Sequence, residues 1–323
     1  MALTRALVAA FAVAASAHVA AQDFPVKAMR MIVPFTAGGA TDVMGRLVAQ
    51  KMAEAWGQPV VVENRAGAGG NIGMELVAKS PADGYTLVLM NNAAATNAAL
   101  NPNLSFDVTR DFDGIGLVAS TPMMLVGKTA LPAANLADLT AMLRKQPGQL
   151  SYGSCGVNGP QHFATELYKS VTKVFIVHTA YRGCAQAVVD VVGGQIELAM
   201  VSANVALPHV KTGRLRAYGL STRNRSPAAP EVPTFRESKV PELADYDVDI
   251  WYGVMAPRGV PPAIIAKLQA ELKRLLAAPD VTQKMAASGI DPLSGDGNQI
   301  LELLKADIAK FRKVAQYAGI KGD

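Results

Sequence analysis

From residue 29 onward the sequence alternates short apolar runs with segments whose apolar residues recur at helical spacing. That alternation restricts the chain to parallel βαβ units. Residues 29–35 form the first apolar run, and residues 41–56 follow with Leu47, Val48, Met52 and Ala55 on one helical face. Thr41, or the Gly38-Gly39 pair, supplies the cap and the tight turn between them. Residues 59–63 and 85–90 read as further strands, with a helix at 71–79 between them. The order loosens over residues 91–112, rich in Asn, Ala and Pro. A second block then gives a helix at 135–146, a strand near 150–153, a helix at 161–170, a strand at 174–178, a helix at 185–192 and strands at 196–202 and 215–221. Residues 227–233 read as a Pro-rich surface segment, and helices at 262–277, 281–288 and 298–317 close the chain.

Two extended apolar runs fall outside this alternation: residues 115–126, interrupted by Pro122, and residues 249–256. They let the chain cross from one lobe to a second and return. The expected architecture is therefore two α/β lobes joined by a two-segment hinge. The first lobe takes residues 22–122 and 250–323, and the second takes residues 123–249. The length of 323 residues suffices for two such lobes, and a chain with 50% hydrophobic and 18% charged residues can bury both cores.

Residues 1–21 read as an export signal, with Arg5 as the lone basic residue, an apolar run from Leu7 to Ala15, and Val19-Ala20-Ala21 at the cleavage site. The expected location is the periplasm, after cleavage near Ala21. No later stretch reaches the roughly 18 apolar residues of a membrane span. The net charge of +5 is spread along the chain without a basic cluster interleaved with aromatics, which argues against nucleic-acid binding. It would slightly favour anionic ligands by steering.

The loop Pro34-Phe35-Thr36-Ala37-Gly38-Gly39-Ala40-Thr41-Asp42 joins a strand to a helix start. Glycine lets the backbone turn, and a helix N-terminus aims N–H groups outward, a geometry that binds anions without a charged side chain. Asp42 would cap the helix or orient a water; the same loop also reads as an ordinary capped turn. Three more strand-to-helix junctions carry candidates. The stretch from Ser151 to His162 includes Ser154, Cys155 and His162; Tyr181-Arg182-Gly183-Cys184 precedes a helix; and Ser202-Ala203-Asn204 follows a strand. Asn91 and Asn92, at the end of another strand, complete the candidate ligand-binding set. All of these loops lie beyond the carboxyl ends of strands, where open α/β sheets bind ligands. Arg182 would clamp a carboxylate or pair with a surface acid, and Trp251 would wall the cleft or fill a core.

Gly67-Ala68-Gly69-Gly70-Asn71 fails the spacing of a dinucleotide fingerprint and reads as a turn before a helix. His162, His178 and His209 show no metal-ligand spacing, so neither a metal nor a cofactor is expected. A Cys155–His162 or Cys155–His178 dyad is the best enzymatic alternative, a secreted hydrolase with Cys155 as nucleophile. Against it, two Cys in an exported chain favour a Cys155–Cys184 disulfide, and no catalytic residue is assigned.

At these residues the chain resembles the Bug family, the solute-binding proteins of tripartite tricarboxylate transporters. The matching stretches are Ile32-Val33-Pro34-Phe35, Ala37-Gly38-Gly39, Thr41-Asp42, Gly57 through Gly70, Asp83-Gly84-Tyr85-Thr86-Leu87, Asn101-Pro102, Tyr181-Arg182-Gly183, Val232-Pro233-Thr234 and Ala256-Pro257. The resemblance implies a type II periplasmic-binding-protein fold that closes by hinge motion, acts as a monomer and delivers a small carboxylate to the membrane components of such a transporter. It implies that the loop from Thr36 to Asp42 holds the carboxylate, and that the loops at Ser154-Cys155, Tyr181–Cys184 and Ser202–Asn204 select the rest of the ligand. Cys155 and Cys184 stand where many relatives carry small residues, and Ala180 stands where Pro is usual. Both departures fall in the selective lobe.

Overall fold

The computed structural model describes residues 24–320; the export signal of residues 1–21 lies outside the described residues. Strand β1 (Met29–Val33) sits between the parallel strands β2 (Val60–Asn64) and β3 (Thr86–Asn91). Helices α1 (Ala40–Trp56) and α2 (Asn71–Ala78) make the crossovers. Strand β4 (Phe112–Lys128) and strand β9 (Asp249–Pro257) pair antiparallel from Phe112↔Pro257 to Pro122↔Asp249, and β9 also borders β3. Strand β10 (Asp291–Asp296) completes the first sheet on the other side of β4.

Beyond Pro122, β4 enters a second sheet. There it pairs with β7 (Leu198–Ser202) from Met123 and with β8 (Leu215–Leu220) from Met124. Strand β5 (Ser151–Ser154) lies parallel to β7 and to β6 (Val177–Ala180). The result is an α/β fold of two lobes joined through the β4–β9 pair. Pro122 does not interrupt the extended run: β4 is continuous for 17 residues. Pro122 stands at the last β9 pair, one residue before β4 turns to β7, so its missing N–H falls where the ladder changes partner.

The strand directions set the site. β4 runs parallel to β3 toward the second lobe, and β7 runs back antiparallel to β4. The carboxyl ends of β1, β3, β5 and β7 therefore face each other across the lobe junction.

Three elements differ from the sequence reading. Residues 91–112 contain helix α3 (Ala93–Leu100); its five alanines favour a helix over the loop suggested by the flanking Asn and Pro. Strand β10, with the sequence DPLSGD, has no apolar pattern and exists through its pairing to β4. The edge strand β6 begins at Val177 rather than Val174, because its register is set by β5, from Ser151↔Val177 to Ser154↔Ala180. The segment at 227–233 is also less superficial than expected, since Ala229 and Val232 are buried in the second lobe's core.

In the second lobe, helices α4 (Leu136–Lys145), α5 (Pro160–Thr172), α6 (Cys184–Val192) and α7 (Ala203–Lys211) cover the sheet. Helices α8 (Pro262–Leu276), α9 (Pro279–Ala287) and α10 (Gly297–Ala318) close the chain against the first lobe. Helix α10 also reaches α5, where Phe311 meets Phe163 edge to face at 5.1 Å. Among the described residues no helix is long and apolar enough to cross a membrane.

Candidate functional site

The turn from β1 to α1 leaves Thr36, Ala37, Gly38 and Gly39 exposed. Gly39 occupies the N-cap of α1, and among the described residues no side-chain oxygen caps this helix. Its first N–H groups are thus open to an anion. Asp42 neither caps the helix nor points outward. It is 3% exposed, and its carboxylate accepts from the Gly38 N–H at 2.9 Å, Arg46 Nε at 3.0 Å and Asn64 Nδ2 at 2.9 Å. Burial raises the Asp42 pKa, but the bonds from Arg46, Gly38 and Asn64 outweigh it and hold the carboxyl below its usual value. Asn64 also donates to the Phe35 carbonyl at 3.0 Å, so both ends of the turn are tied to β2. Sequence reasoning assigned Asn64 no role.

Asn91 extends this bracing. Its amide donates to Thr41 Oγ1 at 3.2 Å, while its carbonyl accepts the Ala93 N–H at 2.9 Å. Asn92 is 1% exposed and donates to the Asp249 carbonyl at 2.8 Å, at the crossing to the second lobe. Trp251 fills a core: it is 2% exposed and its indole donates to Asp307 on α10 at 2.8 Å.

A cleft of about 750 Å³ opens between the lobes. From the expected set, Phe35, Asn91 and Cys155 line it. Its other walls come from segments given less weight. The Gly67–Gly70 stretch holds four successive positive φ values, Ala68 among them at 48°, and so bends Ala68 and Gly69 into the cleft wall. Asn97 secures this turn, donating to the Gly69 carbonyl at 2.9 Å and to Asn71 Oδ1 at 3.0 Å. The glycine density was the available signal; the failed dinucleotide spacing hid it. Across the cleft stand Gly156, Asn158 and Gln161. The lining side chains are amides, small groups and apolar groups, without an ionisable one, so an anion there would rely on neutral donors.

The second-lobe loops converge behind this wall. Cys155 and Cys184 form a disulfide with Cα atoms 4.3 Å apart. Gln161 Nε2 donates to Ser202 Oγ at 3.2 Å and approaches Cys184 Sγ at 3.8 Å. One amide thus links the turns after β5, β6 and β7. Ser154 is fully buried and His162 is 7% exposed, so both sit behind the Cys155–Gly159 backbone. The Tyr181 hydroxyl donates to Asp190 at 2.7 Å; burial, then Asp190, pushes it up to about 12. Arg182 and Gly183 begin the turn into α6, with the Arg182 side chain exposed. Asn204 packs instead against Gly289, the turn before β10, on the lobe seam.

The nucleophile reading has no group to carry it. Cys155 has no thiol while the disulfide is intact. The Ser154 hydroxyl, which meets His178 Nε2 at 2.7 Å and the Gly156 carbonyl at 2.9 Å, is fully buried and does not face the cleft.

Comparison with known proteins places this architecture. Residues 44–320 match the model of the tripartite tricarboxylate transporter family receptor, TctC. The chain is 35% identical to Protein BugT of Bordetella pertussis (strain Tohama I) over 308 residues, covering 95% of this chain and 94% of that protein. A solved periplasmic transporter superposes with a TM-score of 0.79 at 36% identity, covering 93% of this chain and all of that one. R. palustris Rpa4515 with adipate gives a TM-score of 0.79 at 33% identity, covering 92% and 99%. With these matches along nearly its whole length, the chain belongs to the receptor family of the tripartite tricarboxylate transporters.

Proposed function

We propose that this chain captures a small carboxylate in the periplasm and delivers it to the membrane components of a tripartite tricarboxylate transporter. The observation that carries the reading is the cleft of about 750 Å³ between two lobes, lined by amides and backbone without an ionisable side chain, with Phe35 of the β1–α1 turn among its lining residues. Such a site binds an anion through backbone N–H groups and amides. The structural relative solved with adipate supports the ligand class. In this reading residues 1–21 direct export and are removed, and residues 22–122 with 250–323 form one rigid lobe. Residues 123–249 form the other, and the receptor works as a monomer. The backbone from Thr36 to Thr41 takes the carboxylate. The wall from Cys155 to Gln161, with Tyr181, Arg182, Gly183 and Ser202, meets the remainder as the lobes close.

A thermal-shift screen over aliphatic and aromatic mono- and dicarboxylates, followed by calorimetry, tests this. A ligand that binds only the folded state raises its melting temperature. The expected result is saturable binding of at least one carboxylate with a smaller radius of gyration in solution scattering and no turnover. Binding confined to cationic or neutral compounds would overturn the ligand class.

A further inference from the structure

Behind the second-lobe wall of the cleft stands a column of rings that the cleft surface does not use. Tyr152, His178 and His162 stack in that order, with centroids 4.9 and 4.1 Å apart and interplanar angles of 24° and 11°. The hydrogen bonds fix where the His162 proton sits. His178 Nε2 lies 2.7 Å from the Ser154 hydroxyl, which also reaches the Gly156 carbonyl at 2.9 Å. His162 Nδ1 accepts the backbone N–H of Asn158 at 3.2 Å, so this nitrogen is bare and the proton of the neutral ring sits on Nε2. Asn158 holds a left-handed φ of 58°, a turn conformation that asparagine adopts more readily than other non-glycine residues. Gly156 and Asn158 both line the cleft. One turn of the wall therefore hangs from the uncharged His162 ring, with His178 stacked against it.

The titratable and charged groups facing the rings are Tyr152 from β5 and Glu166 and Lys169 from α5. Glu166 Oε1 already accepts from Lys169 at 2.6 Å and from Tyr152 at 3.0 Å, whereas His162 Nε2 lies 3.9 Å from it. On the other sides of α5, α10 contributes Phe311 against Phe163, and Tyr246 donates its hydroxyl to the Ala164 carbonyl. A second cation beside Lys169 gains little from a carboxylate that is already paired.

We propose that His162 is a positioning residue for the cleft, holding the turn from Gly156 to Gly159 only while its ring is neutral, with His178 stacked behind it. A proton on His162 Nδ1 removes the acceptor from the Asn158 N–H and sets two donors against each other, so the turn comes loose. The disulfide keeps Cys155 fixed and confines the change to residues 156–159. Burial and then Lys169 hold His162 down to about 4; burial and then His162 hold His178 down to about 4. Rings 4.1 Å apart titrate as a pair. The wall is thus locked at neutral pH and opens in acid, and ligand capture weakens with it. The consequence for capture rests on the cleft being the ligand site; the proton-linked release of the turn does not.

The experiment uses the ligand-free mature protein, so its outcome is separate from that of the carboxylate screen. A ¹⁵N NMR titration from pH 7.5 to 3.5 follows the His162 side-chain nitrogens and the Gly156 and Asn158 amides. The expected result is a neutral Nε2–H tautomer of His162 at pH 7.5, and movement or broadening of both amides with the same midpoint as His162, below pH 5. In His162→Asn the side-chain oxygen takes the place of Nδ1 as acceptor but binds no proton in this range, so the Asn158 amide stays fixed throughout. An Asn158 amide that ignores His162 protonation overturns the proposal, as does one that moves identically in His162→Asn. The wild-type titration decides by itself if that variant does not fold.

Discussion

Asn64, the last residue of β2, donates its amide to the Asp42 carboxylate at 2.9 Å and to the Phe35 carbonyl at 3.0 Å, and so braces the β1–α1 turn from a neighbouring strand. Arg46 closes the arrangement, bonding both Asp42 Oδ2 and Asn64 Oδ1. The turn itself is exposed and glycine-rich and would otherwise sample many conformations. A loop ordered before the ligand arrives loses less entropy on binding.

Removing that brace tests its worth. Asn64→Ala deletes three hydrogen bonds, to the Asp42 carboxylate, the Phe35 carbonyl and Arg46, and should lower stability by about 2 kcal/mol. Carboxylate affinity should fall about tenfold, equivalent to about 1.4 kcal/mol, because the turn must then be ordered at binding. Calorimetry beside thermal melts checks both; an unchanged affinity in the folded variant would show that the turn orders itself.

The Cys155–Cys184 bond spans a sequence separation of 29 residues. In the chain-entropy model, closing a loop of that size stabilises by roughly 3–4 kcal/mol. Reduction, or replacement of both Cys by Ser, should lower the urea midpoint accordingly and weaken ligand binding, since two turns of the second-lobe wall then move independently. Thiol titration of the unreduced protein should find no free thiol. Finding two would remove the constraint and return the Cys155 nucleophile to consideration.

Gly69 sits at φ 63°, and a Cβ there would lie 2.9 Å from Asn97 Oδ1. Gly69→Ala therefore adds left-handed strain of about 1 kcal/mol and pushes the Asn97 amide away from its bonds. The expected result is a modest fall in melting temperature with a disproportionate loss of affinity. A loss of stability alone would show that this turn contributes shape to the fold and nothing to the ligand.

Stability should peak between about pH 6 and pH 7, through two opposed effects. Burial, then Asp247 and Asp307, push Asp249 up to about 7, above the unfolded value of about 3.9. The folded chain then binds the extra proton, so this stability is present at low pH and is lost as the pH rises through 7. His162 and His178, down to about 4, behave oppositely: the unfolded chain takes up protons first, from about 6.5, so stability is lost as the pH falls toward 4. Two rings outweigh one carboxyl below about 6.5, and Asp249 alone acts above it. Each proton contributes at most about 1.4 kcal/mol per pH unit. Urea titrations from pH 4.5 to 8 check the shape, and Asp249→Asn should flatten the alkaline side; a limb that survives this change belongs to another group.

The sequence by itself determined the element order, the α/β class, the two crossing strands and the disulfide partners. Periodicity, Gly-rich turns and a pair of Cys are short-range or compositional signals, and each survives without knowledge of packing. It also marked the turns at the carboxyl ends of strands. Tertiary structure decided which side chains act there. Asn64 reaches Asp42 across 22 residues, and Gln161 reaches Ser202 across 41, because β1 lies beside β2 and β5 beside β7. Strand β10 exists only through β4, and α3 owes its place to packing on α10. His162 and His178 read as alternative partners for Cys155, one in a helix and one in a strand; the fold stacked them on each other 4.1 Å apart. No local pattern encodes such distances, since they are set by which strands become neighbours and by how far a buried group lies from water.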